Sequence, residues 1–165
     1  MSRAQSSELG SIGVSARIDL RTGEIVLVPT SQLRGPFAGG RGAGQYLVFR
    51  EVAPSVSPLD PENLLVFSAG PLVGTLAPAS SRTSINTKGL TTGGVSSSNV
   101  GGHWASELKY AGFDMLAIYG KAKKPIYLLV ENGKISIHDA SSLWGLTTWE
   151  TEEYLRRDMA DERLQ

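Results

Sequence analysis

The 165-residue chain contains no cysteine. No disulfide can form within it, and no iron–sulfur cluster can hang on its own thiolates. Histidine is scarce as well, with only His103 and His138, so a zinc site would need both plus carboxylates, at no close ligand spacing. Any redox metal must therefore arrive inside a cofactor or on another chain. No apolar run approaches the ~18 residues of a membrane span, and the opening MSRAQSSELGS lacks the apolar core of a secretory signal. A cytoplasmic protein is expected. Sixteen basic residues balance sixteen acidic ones, and no long basic stripe exists, which argues against nucleic acid as a partner.

A second absence is local. From Asn63 to Ser106 the chain has no aspartate or glutamate, although by proportion about four would fall in a window of this length. The window is crowded with glycine and hydroxyl residues, and Arg82 and Lys88 are its only formal charges. Exposed backbone N–H groups, hydroxyls and one or two cations together satisfy phosphate oxygens, which a nearby carboxylate would repel. The pairs Gly93-Gly94 and Gly101-Gly102 would let a flat ligand approach the backbone. A surface that receives an anion and a plain Ser/Thr/Gly-rich loop system both fit this composition.

Length favours one domain over residues 11–165, preceded by a loose tail over 1–10. An internal repeat organises that domain. Ile18–Gly35 matches Leu128–Gly145 at a constant offset of 110, with Gly23/Gly133, Ile25/Ile135, Ser31/Ser141, Leu33/Leu143 and Gly35/Gly145 identical. Each copy reads as a hairpin, around Thr22-Gly23 or Asn132-Gly133, then a polar exit, Leu-x-Gly and a helix. The helices are expected over Ala43–Glu51 and from Thr148 to about Asp161. Thr147 with Glu150 forms a capping box for the second, whose apolar face of Trp149, Leu155 and Met159 is thin enough for a peripheral helix. Leu64–Ala69, Thr83–Thr87 and Met115–Tyr119 are strand candidates. These elements predict an α+β fold, a predominantly β, pseudo-twofold domain with a few short helices.

Familiar catalytic motifs are missing. Gly39-Gly-Arg-Gly-Ala-Gly44 offers no G-x-G-x-x-G register, so it reads as a tight turn that opens a helix, with Arg41 a further anion candidate. There is no P-loop and no G-x-S-x-G. Ser106-Glu-Leu-Lys109 fits the loose S-x-x-K pattern, but its S-D-N and K-T-G companions are absent, and Glu107 and Lys109 read as the solvated side of a helical turn. His138, beside Asp139, has no assigned role. His103 follows Gly101-Gly102 in the acid-free window and is a candidate hydrogen-bond partner for a ligand there, with Trp104 beside it a core residue.

The residues Asp60–Thr75, Arg82, Thr87-Lys88, Thr92-Gly93, Asn99–Gly102, Glu107–Asp114, Gly120–Pro125 and Leu143–Gly145, in that order, resemble the N-terminal domain of tungsten-containing aldehyde ferredoxin oxidoreductases. The resemblance implies a β-rich base on which a tungsten (or molybdenum) bis-pterin cofactor lies, its pterin phosphates bridged by Mg2+. It implies that Arg82 meets a pterin phosphate, that Asn99 stands at the magnesium and phosphate site, and that Gly101 and Gly102 lie beside the cofactor. Lys88 and His103 complete the candidate cofactor-binding set. The chain departs from the family at His103, where an aromatic residue is usual, and at Gly89-Leu-Thr-Thr-Gly93, where Ser-Pro-Leu-Thr-Gly is usual.

No catalytic residue is expected in this chain. The resemblance implies an oxidoreductase subunit or fragment that is not catalytic alone. Aldehydes would be oxidised to carboxylic acids, with a [4Fe-4S] cluster and the substrate pocket supplied by a cysteine-bearing catalytic chain or a ferredoxin-like electron-transfer subunit. The alternative is a non-catalytic pterin carrier or scaffold that retains the fold and assembles with another subunit or with itself as a homo-oligomer.

Overall fold

The structure, a computed structural model, describes residues 10–165; apart from Gly10, the expected tail lies outside them. Six strands form one mixed sheet: β1 (Val14–Asp19), β2 (Glu24–Pro29), β3 (Leu64–Ala69), β4 (Thr83–Lys88), β5 (Val95–Val100) and β6 (Met115–Tyr119). They lie side by side in the order β2-β1-β6-β3-β4-β5, with β1 and β6 parallel and the other neighbours antiparallel. A separate antiparallel hairpin pairs β7 (Ile126–Glu131) with β8 (Lys134–Asp139). Four helices complete the α+β fold: α1 (Thr30–Arg34), α2 (Gly40–Glu51), α3 (Trp104–Tyr110) and α4 (Thr148–Met159).

The repeat is visible in this arrangement, with one adjustment. Offset by 110, β2 falls on β8, whereas β7 lies two residues further along than β1 would predict. The cause is the connection. Glu131 pairs directly with Lys134 across a two-residue turn, while four residues separate Asp19 from its partner Glu24. Asn132 (φ 48°) and Gly133 (φ 76°) both have the positive φ of a type I′ turn, as the Asn-Gly pair predicts. A shift of two keeps every side chain on its face. Leu33 and Leu143, equivalent in the repeat, are both buried. The two hairpins differ in setting, since one joins the large sheet and the other packs against it.

Alternation along each strand gives the large sheet two apolar faces. On one, Ala43, Leu47 and Val48 of α2 and Leu33 of α1 pack on Leu64, Val66, Met115 and Ala117. On the other, Ala16, Ile18, Phe67, Leu116 and Ile118 meet Leu108 of α3 and the inward residues of the β7–β8 hairpin, with Phe113 at the centre. Each fully buried valine, leucine, isoleucine, phenylalanine or methionine among them is worth about 1.5–3 kcal/mol relative to exposure. α4 contributes no buried residue, which fits its thin apolar face.

Candidate functional site

β4 and β5, the last two strands of the sheet, form a hairpin in which Thr83 pairs with Val100 and Ser84 with Asn99. This register brings the two halves of the acid-free window to one end of the sheet. Arg82 leads into β4, while Asn99, Gly101, Gly102 and His103 lie at and just beyond the end of β5, leading into α3. The Arg82 guanidinium is exposed. Neither it, nor the side chains of Asn99 and His103, nor the N–H groups of Gly101 and Gly102 has a hydrogen bond to the described residues. Gly102, at φ 98°, holds a conformation that other residues rarely adopt, and a Cβ on Gly101 or Gly102 would meet only open space. Ser81 anchors the junction: its hydroxyl donates to the Gly102 carbonyl at 2.5 Å and lies 2.9 Å from Ser106 Oγ.

Asn99 pairs across the hairpin with Ser84, which belongs to a largely buried polar row. Asn86 is fully buried and donates to Ser84 Oγ at 3.2 Å, and Ser84 Oγ lies 3.4 Å from Ser97 Oγ. Ser68, next in the row, donates to the Gly40 carbonyl at the start of α2 at 2.8 Å. α2 sits close because Gly44 faces Asn86, where a Cβ would lie 2.1 Å from Nδ2. The glycine cluster that opens α2 thus brings its backbone down to the polar row, starting three residues before the expected Ala43. Arg41, in the first turn of α2, is exposed.

Lys88 is not part of this group. It ends β4 opposite Arg82, and its ammonium donates to the Pro54 carbonyl at 2.7 Å and the Ala53 carbonyl at 3.4 Å. Lys109 also differs from expectation. It is 5% exposed, and its ammonium donates to the carbonyls of Gly10 and Gly70 and lies 3.8 Å from Asp114 Oδ1. Burial pulls its pKa below the ordinary lysine value, against the pull of Asp114. Asp114, itself buried, accepts from the N–H groups of Ile12 and Gly13 and the hydroxyls of Ser11 and Thr30. The expectation of a solvated Lys109 fails because the carbonyls that hold its ammonium, of Gly10 and Gly70, lie far away in the sequence, where a local pattern cannot register them.

Sequence reasoning also missed β5 and the roles of Ser81, Ser84 and Asn86. VSSSNV has no apolar alternation to mark a strand. Its signal lay in the flanking turn: Gly89 N–H donates to the Gly94 carbonyl at 2.8 Å, closing the β4–β5 hairpin around Gly93-Gly94.

The site is an open face rather than a pocket. Two grooves, of about 650 and 420 Å³, lie along α4 and are lined by residues such as Trp149, Leu155, Arg156 and Leu164. Among the described residues, no group of three or more His, Asp or Glu side chains could hold a metal on its own. The donors at the sheet end are instead an arginine, an amide side chain, an imidazole and free N–H groups. These fit phosphate oxygens. The bis-pterin cofactor fits the residues present on this ground. No helix among the described residues is long and apolar enough to cross a membrane.

Over 156 residues the chain is 40% identical to a tungsten-containing aldehyde ferredoxin oxidoreductase of Pyrococcus furiosus, covering 94% of this chain and 26% of that protein. It is 36% identical, with the same coverage, to the tungsten-containing aldehyde ferredoxin oxidoreductase of Thermococcus kodakarensis. An aliphatic sulfonate oxidoreductase, WOR-like subunit, of Pyrococcus furiosus is 38% identical over 129 residues, 76% of this chain and 20% of that one. Among solved structures, the active-site complex BamBC of benzoyl coenzyme A reductase, in complex with 1,5 dienoyl-CoA, superposes with a TM-score of 0.87 at 36% identity, covering 94% of this chain and 24% of that one. The chain thus spans about a quarter of the length of these relatives. Residues 15–165 match the aldehyde ferredoxin oxidoreductase N-terminal domain, and the chain belongs to that family.

Proposed function

We propose that this chain forms the base for a tungsten or molybdenum bis-pterin in a cytoplasmic oxidoreductase. Arg82 would hold a pterin phosphate, Asn99 would bind the bridging Mg2+ through its side-chain oxygen, and the N–H groups of Gly101 and Gly102 would meet the cofactor's edge. His103 would donate or accept one further hydrogen bond there. The observation that carries this reading is the gathering of these groups, without protein partners among the described residues, at the end of a β-hairpin that contains no carboxylate. When bound, the metal of the cofactor supplies the two-electron redox chemistry.

This chain's own residues would bind and orient. We assign none of them a role in moving a proton to or from a substrate. The relatives bear names for aldehydes, an aliphatic sulfonate and benzoyl coenzyme A, yet share this stretch. The stretch therefore carries what they have in common, and the substrate is chosen elsewhere. We assign the chain to aldehyde oxidation, R-CHO + H2O giving R-COOH, two electrons and two protons. The electrons would pass through a [4Fe-4S] cluster held by cysteines outside these 165 residues to a ferredoxin-type acceptor.

Tungsten, molybdenum, iron and pterin measured in natively purified protein, together with any co-purifying chains, test the proposal. Pterin with a metal and a cysteine-bearing partner is the expected result. A metal-free, pterin-free homo-oligomer would overturn it in favour of a scaffold that has kept the fold.

A further inference from the structure

Three side chains of α3 grip one loop. Lys109 donates to the Gly70 carbonyl at 3.3 Å, Tyr110 Oη to the Gly74 carbonyl at 3.3 Å, and Ser106 Oγ lies 2.9 Å from Ser81 Oγ. Their spacing, i, i+3 and i+4, puts them on one helical face. Their targets lie at the start, middle and end of the connection between β3 and β4. Val73 of that loop is buried with Ala105 of α3, and Ser80 closes the loop on itself by bonding the carbonyls of Leu72 and Ala77. The loop ends at Arg82, and α3 begins immediately after Gly101-Gly102-His103.

We infer that Ser106, Lys109 and Tyr110 are positioning residues that set Arg82 against Gly101 and Gly102 for phosphate. α3 is the element common to both halves of the site, because it carries the glycines at its own N-terminal flank and the Arg82 loop on its side. Ser81 joins the two by bonding both Gly102 and Ser106. The S-x-x-K spacing of Ser106 and Lys109 thus has a structural meaning unrelated to acyl transfer. The hydroxyl and the ammonium hold the two ends of one loop. The inference rests on the phosphate reading of Arg82.

Ser106→Ala in the full chain removes the gentlest of the three contacts, and Ser106→Thr restores a hydroxyl. Two quantities are read: hydrogen exchange at the amides of residues 71–82, and the concentration of inorganic phosphate, with Mg2+, that protects Arg82 from phenylglyoxal. Ser106→Ala should speed exchange and raise the protecting concentration about three- to tenfold, the scale of one hydrogen bond, with Ser106→Thr near the unaltered chain. Unchanged exchange overturns the grip. Faster exchange with an unchanged protecting concentration also overturns the inference, since the loop would then be held for the fold alone. Failure of phosphate to protect Arg82 in the unaltered chain would instead defeat the underlying phosphate reading. Tyr110→Phe, which keeps the ring and removes one exposed bond, is the second variant and should move both readouts in the same direction.

Discussion

Arg82 and Lys88 bracket the same six-residue strand, so a rise of about 3.3 Å per residue sets their backbones roughly 20 Å apart. Sequence composition pooled them as the two cations of one window; the strand separates them. Lys88 ties the connection around Ala53 and Pro54 to the sheet, and Lys88→Met should therefore speed hydrogen exchange over residues 52–63 without weakening protection of Arg82 by phosphate. Asp19 illustrates a different single-residue effect. The hydrogen bonds it accepts from the Arg21 side chain and backbone hold its pKa below the ordinary aspartate value. Between the folded and unfolded values the unfolded chain binds more protons, so this contribution is present above the ordinary aspartate pKa and is lost as pH falls through the lowered folded value. Denaturation midpoints measured from pH 5 downwards should fall less steeply in Asp19→Asn than in the unaltered chain.

Elements marked by apolar periodicity or by turn chemistry were legible, and those held by distant polar partners were not. Leu64–Ala69 and Met115–Tyr119 are short apolar runs, and both are central strands. The capping box of α4 is present as read, with Glu150 N–H donating to Thr147 Oγ1 and Thr147 N–H to the Glu150 carboxylate. β5 escaped because it is an edge strand built of serine, paired on one side only, with little to bury. Two predictions belong at this scale. Thr147→Ala should cost the helix about 1 kcal/mol; as α4 buries nothing, circular dichroism should show fraying with little change in the main unfolding transition. Gly44→Ala should destabilise the protein by about 1–3 kcal/mol in chemical denaturation, because its Cβ would collide with buried Asn86. Adding Asn86→Ala should recover part of that loss through non-additivity.

Across the whole molecule, the repeat predicted two hairpins and the structure contains both, each followed by a buried leucine and a glycine at positive φ. What the repeat could not convey is that one hairpin extends a sheet and the other packs against it, since that choice depends on which edges and faces remain free after β6 and β3 pair. The candidate site was legible for a chemical reason: excluding carboxylates from 44 consecutive residues leaves a mark in composition that does not depend on the fold. Its membership was less legible, because composition cannot say which end of β4 a residue occupies. On the proposed reading, phosphate is held at the Arg82 end of β4 and not at Lys88. Pterin content per chain should be measured in natively purified unaltered protein, Arg82→Ala and Lys88→Met, under dialysis that lets the cofactor equilibrate. Arg82→Ala should weaken retention about tenfold or more, as expected for a charge-assisted hydrogen bond, while Lys88→Met should retain pterin like the unaltered chain. Equal retention in Arg82→Ala and the unaltered chain, or loss confined to Lys88→Met, would contradict it.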